Sequence, residues 1–296
     1  MNEVENVVET ADIAALIDLA SWTERLPVLT PQYRSARPFP HIFLEDVLRP
    51  DKALQAAREF PAPESTSWTH YKHVNENKLG KNDRDHFPPL LGQIVDTFNS
   101  PAFVQWLSQL TGIEGLMSDP LLEGGGLHQT EPGGFLNVHA DFTMHHYHKR
   151  WRRRINMILY MNERWEDDWG GAIELWDGDM LACVEKVPPY LNHALVFNTN
   201  ENSYHGYPDP IQCPNGVQRR SIALYYYTAE ADSSYSMKST NYKSRPDDNA
   251  VTRIKIWLDK VALDIYSRLK ARFGWSDELA SNILRKLSRN KKKYDE

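Results

Sequence analysis

The chain has 296 residues, of which 41% are hydrophobic, 11% aromatic and 25% charged, and its formal net charge is −6. This composition is ordinary for a globular protein with a sizeable core. The acidic balance gives no general reason to expect nucleic acid or an anionic membrane as a partner. The two cysteines, Cys183 and Cys213, form no CxxC motif, which argues against a disulfide framework or a zinc knuckle.

The two ends of the chain differ in charge. The N-terminus is acidic and interrupted by charges, unlike a signal peptide, and no apolar run approaches the ~18 residues that span a membrane. We therefore expect a soluble, cytoplasmic protein without a transmembrane segment. From Val251 to Glu296 there are twelve Lys/Arg and six Asp/Glu. This basic tail is interpreted either as a solvated helical segment or as a surface that contacts a partner.

The first half of the chain is predicted to be largely helical. It begins with an amphipathic helix around Ile13, followed by a loop and a strand, "HIFLEDVL". The segment "RPDKALQAAREFP" has Pro50 near a first helical turn. The apolar spacing from Leu90 to Gly112 predicts a further helix, interrupted once at Pro101.

After Gly124 the spacing of apolar residues becomes that of strands. Short segments rich in β-branched and aromatic residues are separated by Gly, Pro, Asn and Asp: "FLNVHADF", "RINMILYMN", "GAIELWD", "HALVFNT" and "RRSIALYYYT". Several strands at this spacing favour a sandwich or jelly roll over a parallel sheet with crossover helices. Helical spacing returns near Arg253, and a second helix is expected after Ser276.

These segments predict a mainly β protein with helices, of class α+β. The division is a helical N-terminal extension (1–36), a central domain (37–235) and a basic helical C-terminal tail (236–296).

The stretch "NVHADF" contains a candidate metal site. Residues i and i+2 of a strand share one face, so His139 and Asp141 point the same way. The later segment "ENSYHGYPDP" offers His205. Two imidazoles and one carboxylate suit non-heme Fe(II) and leave three coordination positions open. Taken alone the pattern is weak, because a chain with 11 histidines can produce it by chance with purely structural histidines.

The strand "RRSIALYYYT" strengthens the hypothesis. Arg219 and Ser221 share one face, and Arg220 lies on the other. An arginine fork beside a hydroxyl can bind a carboxylate at the bottom of a barrel; alternatively, the arginine pairs with a carboxylate of the protein itself. We choose Arg219 over Arg220 because its face carries the hydroxyl.

The order of these motifs resembles the 2-oxoglutarate/Fe(II)-dependent oxygenase superfamily, and within it the prolyl 4-hydroxylase-like branch of bacterial type. Its elements are His139-x-Asp141, "RRINMILYMNERWEDDWGGAIELWD", "HALVFNTNENSYHGYPDP" and "RRSIALYYYT", preceded by "DPLLEGGGLHQTEPGGFLNVHADF". The resemblance covers residues 37 to 230 approximately, and the motifs are specific as a set.

The resemblance implies a double-stranded β-helix in which His139, Asp141 and His205 ligate Fe(II). It also implies that Arg219 holds the far carboxylate of 2-oxoglutarate, assisted by a tyrosine that is here Tyr160. Animal-type collagen prolyl hydroxylases carry lysine at the Arg219 position, so the chain is nearer to the arginine-bearing subgroup.

The implied activity is hydroxylation of an unactivated C–H bond in a prolyl residue or a small metabolite. It would use O2 and 2-oxoglutarate as co-substrates, with ascorbate as a candidate reductant. Two alternatives stay open from the residues alone: a cupin-like metal-dependent enzyme without 2-oxoglutarate, and a non-catalytic binding module on the same fold.

Two further features carry expectations. The cluster "HHYH", with His145, His146 and His148, is expected to form a flexible loop near the mouth of the barrel. The basic run "KRWRRR" is expected to be the solvated start of a strand, because it leads directly into "INMILY" within a net acidic region.

Overall fold

The structure is a computed structural model that describes residues 13–65, 68–231 and 238–273, with side chains as far as residue 261 in the last helix. After a helical turn at residues 13–16, the α-helices are α1 (Leu19–Glu24), α2 (Leu26–Ser35), α3 (Pro50–Arg58), α4 (Pro89–Asn99), α5 (Pro101–Thr111) and α6 (Ala250–Phe273). Short 3-10 turns cover Arg84–His86 and Asp167–Trp169. The expected second helix after Ser276 lies outside the described residues.

The boundary between α4 and α5 follows from local chemistry. Pro101 has no amide hydrogen to donate, and it stands in the first turn of α5, where that loss costs nothing. The Ser100 side chain accepts a hydrogen bond from the Phe103 amide and so caps the helix. Gly112 ends it in the left-handed region at φ 73°. The predicted interruption at Pro101 is therefore confirmed.

The strands are β1 (His41–Leu44), β2 (Thr69–His73), β3 (Glu76–Lys81), β4 (Leu116–Ser118), β5 (Gly126–Thr130), β6 (Phe135–Ala140), β7 (Trp151–Tyr160), β8 (Ile173–Trp176), β9 (Cys183–Val187), β10 (Ala194–Asn198), β11 (His205–Tyr207), β12 (Arg219–Ala229) and β13 (Asn241–Tyr242). All pairings between them are antiparallel. The charged hairpin β2–β3 and strand β9 were not expected from the sequence.

The strands form two layers that face each other. One layer runs β1-β10-β7-β12-β5 and the other runs β6-β11-β8-β9, while β3 pairs with both β5 and β6 and joins the layers at one side. The result is a nearly closed antiparallel barrel of the jelly-roll type, which confirms the predicted fold class.

The helices cover the outer face of the first layer. Ile155, Met157 and Leu159 of β7 share one apolar cluster with residues of α1 to α5, and so do Ile222 and Leu224 of β12. Alternation along the strands turns the intervening side chains toward the space between the two layers. The division into parts at residues 36 and 235 stays a prediction, although β13 and the start of α6 pack against the barrel.

No helix within the described ranges has the length and hydropathy that a membrane crossing requires.

Candidate metal centre and co-substrate pocket

The barrel brings the three predicted ligands together. His139 lies near the end of β6 and Asp141 directly follows that strand, while His205 begins β11 as the register partner of His139. One ligand atom from each of the three side chains lies within 4.8 Å of the others. No other set of His, Cys, Asp or Glu in the described part of the chain converges in this way.

Both imidazoles are oriented by backbone carbonyls. Nδ1 of His139 lies 2.9 Å from the Asn137 carbonyl, and Nδ1 of His205 lies 2.9 Å from the Ser203 carbonyl. A carbonyl can only accept, so Nδ1 carries a proton, and in the neutral form of each imidazole Nε2 then keeps its lone pair. The two Nε2 atoms lie 3.4 and 3.5 Å from the Asp141 carboxylate. This is the tautomer that metal-binding histidines require.

Asp141 is held ionised by a buried cation. Its Oδ2 lies 3.0 Å from Nη2 of Arg153 and accepts a hydrogen bond from the Asn156 side chain at 3.0 Å. Burial alone would raise the pKa of this carboxyl, but the charge of Arg153 and the two imidazoles outweigh it and lower the pKa well below its usual range. For His205, burial is the largest cause and lowers the pKa to about 4, so this imidazole is neutral near pH 7.

The expectation of a solvated "KRWRRR" run is wrong for Arg153, which is only 2% exposed. Tyr226 pairs with Ile155, but Tyr227 pairs with Arg153, so Arg154 is skipped in the register of β7 and β12. This bulge turns Arg153 to the same side as Asn156, toward the carboxylate, where simple alternation would have placed it with the helix-facing residues.

Arg153 also retains unused donors. Its Nε and Nη1 are buried and have no hydrogen-bond partner among the described residues. The guanidinium carbon lies 3.3 Å from the ring centroid of Tyr225 and 4.7 Å from that of Phe142. The cation is therefore fixed beside Asp141 by stacking, by one ion pair and by a hydrogen bond of 3.2 Å from Nη2 to Asn156 Oδ1, with Nε and Nη1 left over.

A second set of unused polar atoms lies around Arg219. This residue is 4% exposed, and its Nε donates to the Gly171 carbonyl at 2.7 Å. Its Nη2 and the hydroxyl of Tyr160 are buried without a hydrogen-bond partner in the described structure. The guanidinium carbon lies 5.1 Å from the Tyr160 ring and 4.2 Å from the Tyr207 ring. Burial raises the pKa of Tyr160, and the charge of Arg219 opposes this, so the phenol stays protonated and can donate.

The two adjacent arginines lie on opposite faces of β12. The Arg220 guanidinium donates to Gln218 and to the Ala57 carbonyl of α3, on the helix side. Ser221 is buried on the Arg219 side and pairs in register with Tyr160 of β7 and with His128 of β5. Arg219 and Ser221 thus share a face, as the strand alternation predicted, and Tyr160 lies beside them, as the resemblance implied.

The sequence reasoning missed residues of β5 and β11 that border the same pocket. Thr130 and Tyr207 share a hydrogen bond of 2.9 Å between their hydroxyls. Burial and the charges of Lys78 and Arg219 lower the pKa of His128 to about 3, so this imidazole is neutral. Alternation within "GLHQT" could have indicated His128 and Thr130, which face the same side as Arg219 and Ser221.

The "HHYH" cluster lies outside the helices and strands, as expected of a loop, but His145 within it is fully buried. Its Nδ1 accepts hydrogen bonds of 3.1 Å from the amides of Tyr147 and His148, and its Nε2 lies 3.3 Å from Asp119. His146 lies 2.7 Å from Glu123 through Nδ1. These contacts were not predicted because Asp119 and Glu123 lie more than twenty positions upstream, where periodicity gives no sign of them.

Comparison with known proteins is consistent with this geometry. Residues 125–227 match the model of the 2OG-Fe(II) oxygenase superfamily. No match was found among curated proteins.

Solved structures also resemble the chain. A prolyl hydroxylase from Trichoplax adhaerens, in complex with a hypoxia inducible factor oxygen degradation domain peptide fragment, is 15% identical. The match covers 71% of this chain and 91% of the other, with a TM-score of 0.52. A Pseudomonas putida prolyl-4-hydroxylase is 16% identical, with 69% of this chain and 99% of the other covered and a TM-score of 0.49.

At such low identity the Trichoplax match shows only a shared fold. The family match adds a similarity of sequence over residues 125–227. That segment contains His139, Asp141, His205 and Arg219. Together these findings confirm the resemblance recognised from the motifs: residues 125–227 match the 2OG-Fe(II) oxygenase superfamily.

Proposed function

We propose that this chain is an Fe(II)- and 2-oxoglutarate-dependent dioxygenase that hydroxylates an unactivated C–H bond. His139, Asp141 and His205 hold the iron, and Arg219, Tyr160 and Ser221 bind the far carboxylate of 2-oxoglutarate. The unsatisfied donors at Arg219 and Tyr160 are the observation that carries the proposal. A buried guanidinium Nη2 and a buried phenol hydroxyl that have no hydrogen-bond partner are costly unless an anion fills the space between them.

The donor set fits iron in both composition and protonation. Two neutral imidazoles and one carboxylate form the facial arrangement that non-heme Fe(II) prefers. Asp141 keeps its negative charge because Arg153 lies beside it, and the imidazoles keep their Nε2 lone pairs because their Nδ1 atoms are used by carbonyls. The carbonyl contacts also fix the ring orientations before any ion binds, which favours metal affinity.

We place the far carboxylate of 2-oxoglutarate against Arg219 and Tyr160. Arg219 presents a buried guanidinium, and a neutral Tyr160 adds an O–H donor to the same anion. Charge-assisted hydrogen bonds of this kind are roughly twice as strong as neutral ones. The Gly171 carbonyl already occupies Nε of Arg219, so it limits rotation of the guanidinium and leaves Nη2 for the co-substrate.

When bound together with O2, iron and 2-oxoglutarate supply oxidising power that replaces a substrate C–H bond by C–OH, with release of succinate and CO2. The protein's own part is to orient the reactants and exclude water. His139 and His205 are almost completely buried, and the Tyr207 and Tyr160 rings flank the Arg219 cation. The Asp141 carboxylate supports hydroxylation as the outcome, because it occupies the position that chloride takes in related halogenases.

The two spare donors of Arg153 support a substrate with a hydrogen-bond acceptor near the reacting carbon. A carbonyl or hydroxyl group meets this need, so a prolyl peptide and a small oxygen-bearing metabolite are the substrate classes that we propose. We further propose ascorbate as a reductant that keeps the iron ferrous, a cytoplasmic location, and the basic C-terminal tail as a partner-binding surface.

Succinate release tests the proposal directly. The protein is incubated in air with Fe(II), ascorbate and 2-oxoglutarate, and panels of prolyl peptides, amino acids and glycans are screened for succinate formation and for the gain of one oxygen atom by mass. We expect at least one class to give both signals. Metal-dependent turnover without any need for 2-oxoglutarate would favour the cupin-like alternative, and absence of metal binding would favour a non-catalytic module.

A further inference from the structure

The wall beside His139 comes from a segment beyond residue 237. Strand β13 pairs with β6, and the register partner of His139 is Tyr242. The Tyr242 ring is buried, and its centroid lies 5.3 Å from that of the His139 imidazole, at an interplanar angle of 37°. One predicted ligand is therefore covered by a side chain from the region that the sequence assigned to a separate tail.

Further contacts hold Tyr242 in this position. Its ring meets the imidazole of His73, in the β2–β3 hairpin, at 6.1 Å and 85°. It shares an apolar cluster with Ile256 of α6. The ring is thus enclosed by β6, by the hairpin and by the last helix.

One carboxylate anchors α6 to the hairpin. Asp259 Oδ2 lies 2.9 Å from Nδ1 of His73 and accepts a hydrogen bond of 2.5 Å from the Asn75 side chain. Nε2 of His73 lies 2.8 Å from Glu76. Burial lowers the pKa of His73, but the bonds to Asp259 and Glu76 outweigh it and raise the pKa to about 9. A cation between two carboxylates makes this a strong attachment.

A chain of hydrogen bonds continues from Asn75 to the same predicted ligand. The Asn137 side chain donates to Asn75 Oδ1 at 3.0 Å, and the Asn137 amide donates to the Asn75 carbonyl at 2.8 Å. The carbonyl of Asn137 is the group that accepts from Nδ1 of His139. Asp259 therefore reaches His139 by two routes, the ring contact of Tyr242 and the bonds through Asn75 and Asn137.

We propose that docking of α6 through Asp259 positions the His139 imidazole for the metal, so that residues 238–261 are a functional part of the metal centre. This inference rests on the proposed function and deepens it. Tyr242 and Asp259 are positioning residues. Without them the imidazole would lose part of its fixed orientation and would have to be ordered when the metal binds.

Cobalt titration of the full-length, metal-free protein tests this role without relying on turnover. We expect Asp259→Ala and Tyr242→Ala to raise the Co(II) dissociation constant roughly tenfold, the scale of loss of an outer-shell partner, and to alter the shape of the Co(II) d–d absorption. Tyr242→Phe keeps the ring and should bind like wild type. Trp257→Ala changes an exposed side chain of the same helix and serves as the matched control.

Circular dichroism and thermal unfolding of the metal-free variants show whether each one is folded. If Asp259→Ala does not fold, Asp259→Asn, which keeps the shape and removes the charge, takes its place and should weaken Co(II) binding by a smaller factor. Wild-type affinity and spectrum in folded Asp259 and Tyr242 variants would overturn the inference alone. Failure of the wild-type protein to bind either Co(II) or Fe(II) would instead overturn the proposed function.

Discussion

Two buried clusters of histidine and carboxylate lie close together along the chain and differ in how their nitrogen atoms are used. In the cluster of His139, Asp141 and His205, Nδ1 of each imidazole donates a hydrogen bond to a backbone carbonyl, which leaves Nε2 for a metal. In the cluster around His145, Nδ1 accepts from two backbone amides and Nε2 lies against Asp119.

The difference shows that residue type alone does not identify a metal site. His145 Nδ1 accepts from two backbone amides, and its Nε2 lies 3.3 Å from Asp119. Burial would raise the pKa of Asp119 and of Glu123, but contacts with His145, His146 and backbone amides outweigh it and lower both. In that cluster Nε2 of His145 and Nδ1 of His146 lie beside carboxylates without a well-formed hydrogen bond. In the first cluster the Nε2 atoms of both imidazoles and the ionised carboxylate of Asp141 face one another. This cluster is therefore the one suited to bind a metal ion.

The largest effect is expected for His139→Ala. Removal of a direct ligand should abolish detectable Fe(II) binding and all succinate release, a loss beyond the roughly 10- to 100-fold that outer-shell changes cause. Equilibrium metal titration and the succinate assay measure it. The same substitution at His146, whose Nδ1 contacts Glu123, is the control, and equal losses in both variants would remove the distinction between the clusters.

His145→Ala should act on stability instead. Two backbone amides and the Asp119 carboxylate lose a partner and a cavity is left, so we expect the free energy of unfolding to fall by roughly 2–4 kcal/mol. Metal affinity, measured below the unfolding temperature, should not change. His148→Ala, at an exposed position of the same segment, should cost less than about 0.5 kcal/mol. A stable His145→Ala protein with weakened metal binding would contradict this account.

Arg219→Gln should raise the KM for 2-oxoglutarate roughly 10- to 100-fold, since a charged hydrogen bond contributes about 1.5–3 kcal/mol. Metal affinity should be unaffected because Arg219 contacts none of the three predicted ligands. Arg220→Gln is the matched control on the helix-facing side of the same strand. If the Arg220 variant shows the larger change in KM, our choice between the two arginines is wrong.

The smallest and broadest effect concerns pH. The unfolded pKa of histidine is 6.5, and the folded values are about 4 for His205 and about 3 for His128. The metal-free protein should therefore lose stability as the pH falls below about 6.5, because the unfolded imidazoles take up protons first. His73 has a raised pKa of about 9, so its contribution is complete below pH 6.5 and is lost as the pH rises through 9.

Urea unfolding should thus show a stability maximum near pH 6.5, with a fall on the alkaline side between about pH 6.5 and 9. His205→Gln should flatten the acid side, and His73→Gln should flatten the alkaline side. An unchanged alkaline side in His73→Gln would show that His73 is not bound as a cation by Asp259 and Glu76.

The strands and the site residues differ in how far the sequence could predict them. Alternation along β6 and β12 placed His139 with Asp141 and Arg219 with Ser221, because those relations are local to one strand. The hairpin β2–β3 escaped prediction because its sequence, "THYKHVNENKLGK", is charged and has little apolar alternation.

Long-range partners could not be predicted by the same means. A register shift against β12 turns Arg153 toward Asp141. No local pattern reveals this shift, so Arg153 was assigned to solvent from the sequence. The contacts of Asp259 with His73 and Asn75 join positions more than 180 residues apart. Such pairings depend on how the layers close, so they become visible only in three dimensions.

The most direct measurement is anaerobic absorption spectroscopy of the protein with Fe(II) and 2-oxoglutarate. We predict a weak visible charge-transfer band that saturates at stoichiometric iron, is absent in His139→Ala and requires more 2-oxoglutarate in Arg219→Gln. A folded wild-type protein that binds Fe(II) but gives no such band at saturating 2-oxoglutarate would contradict the central claim that one cavity holds both.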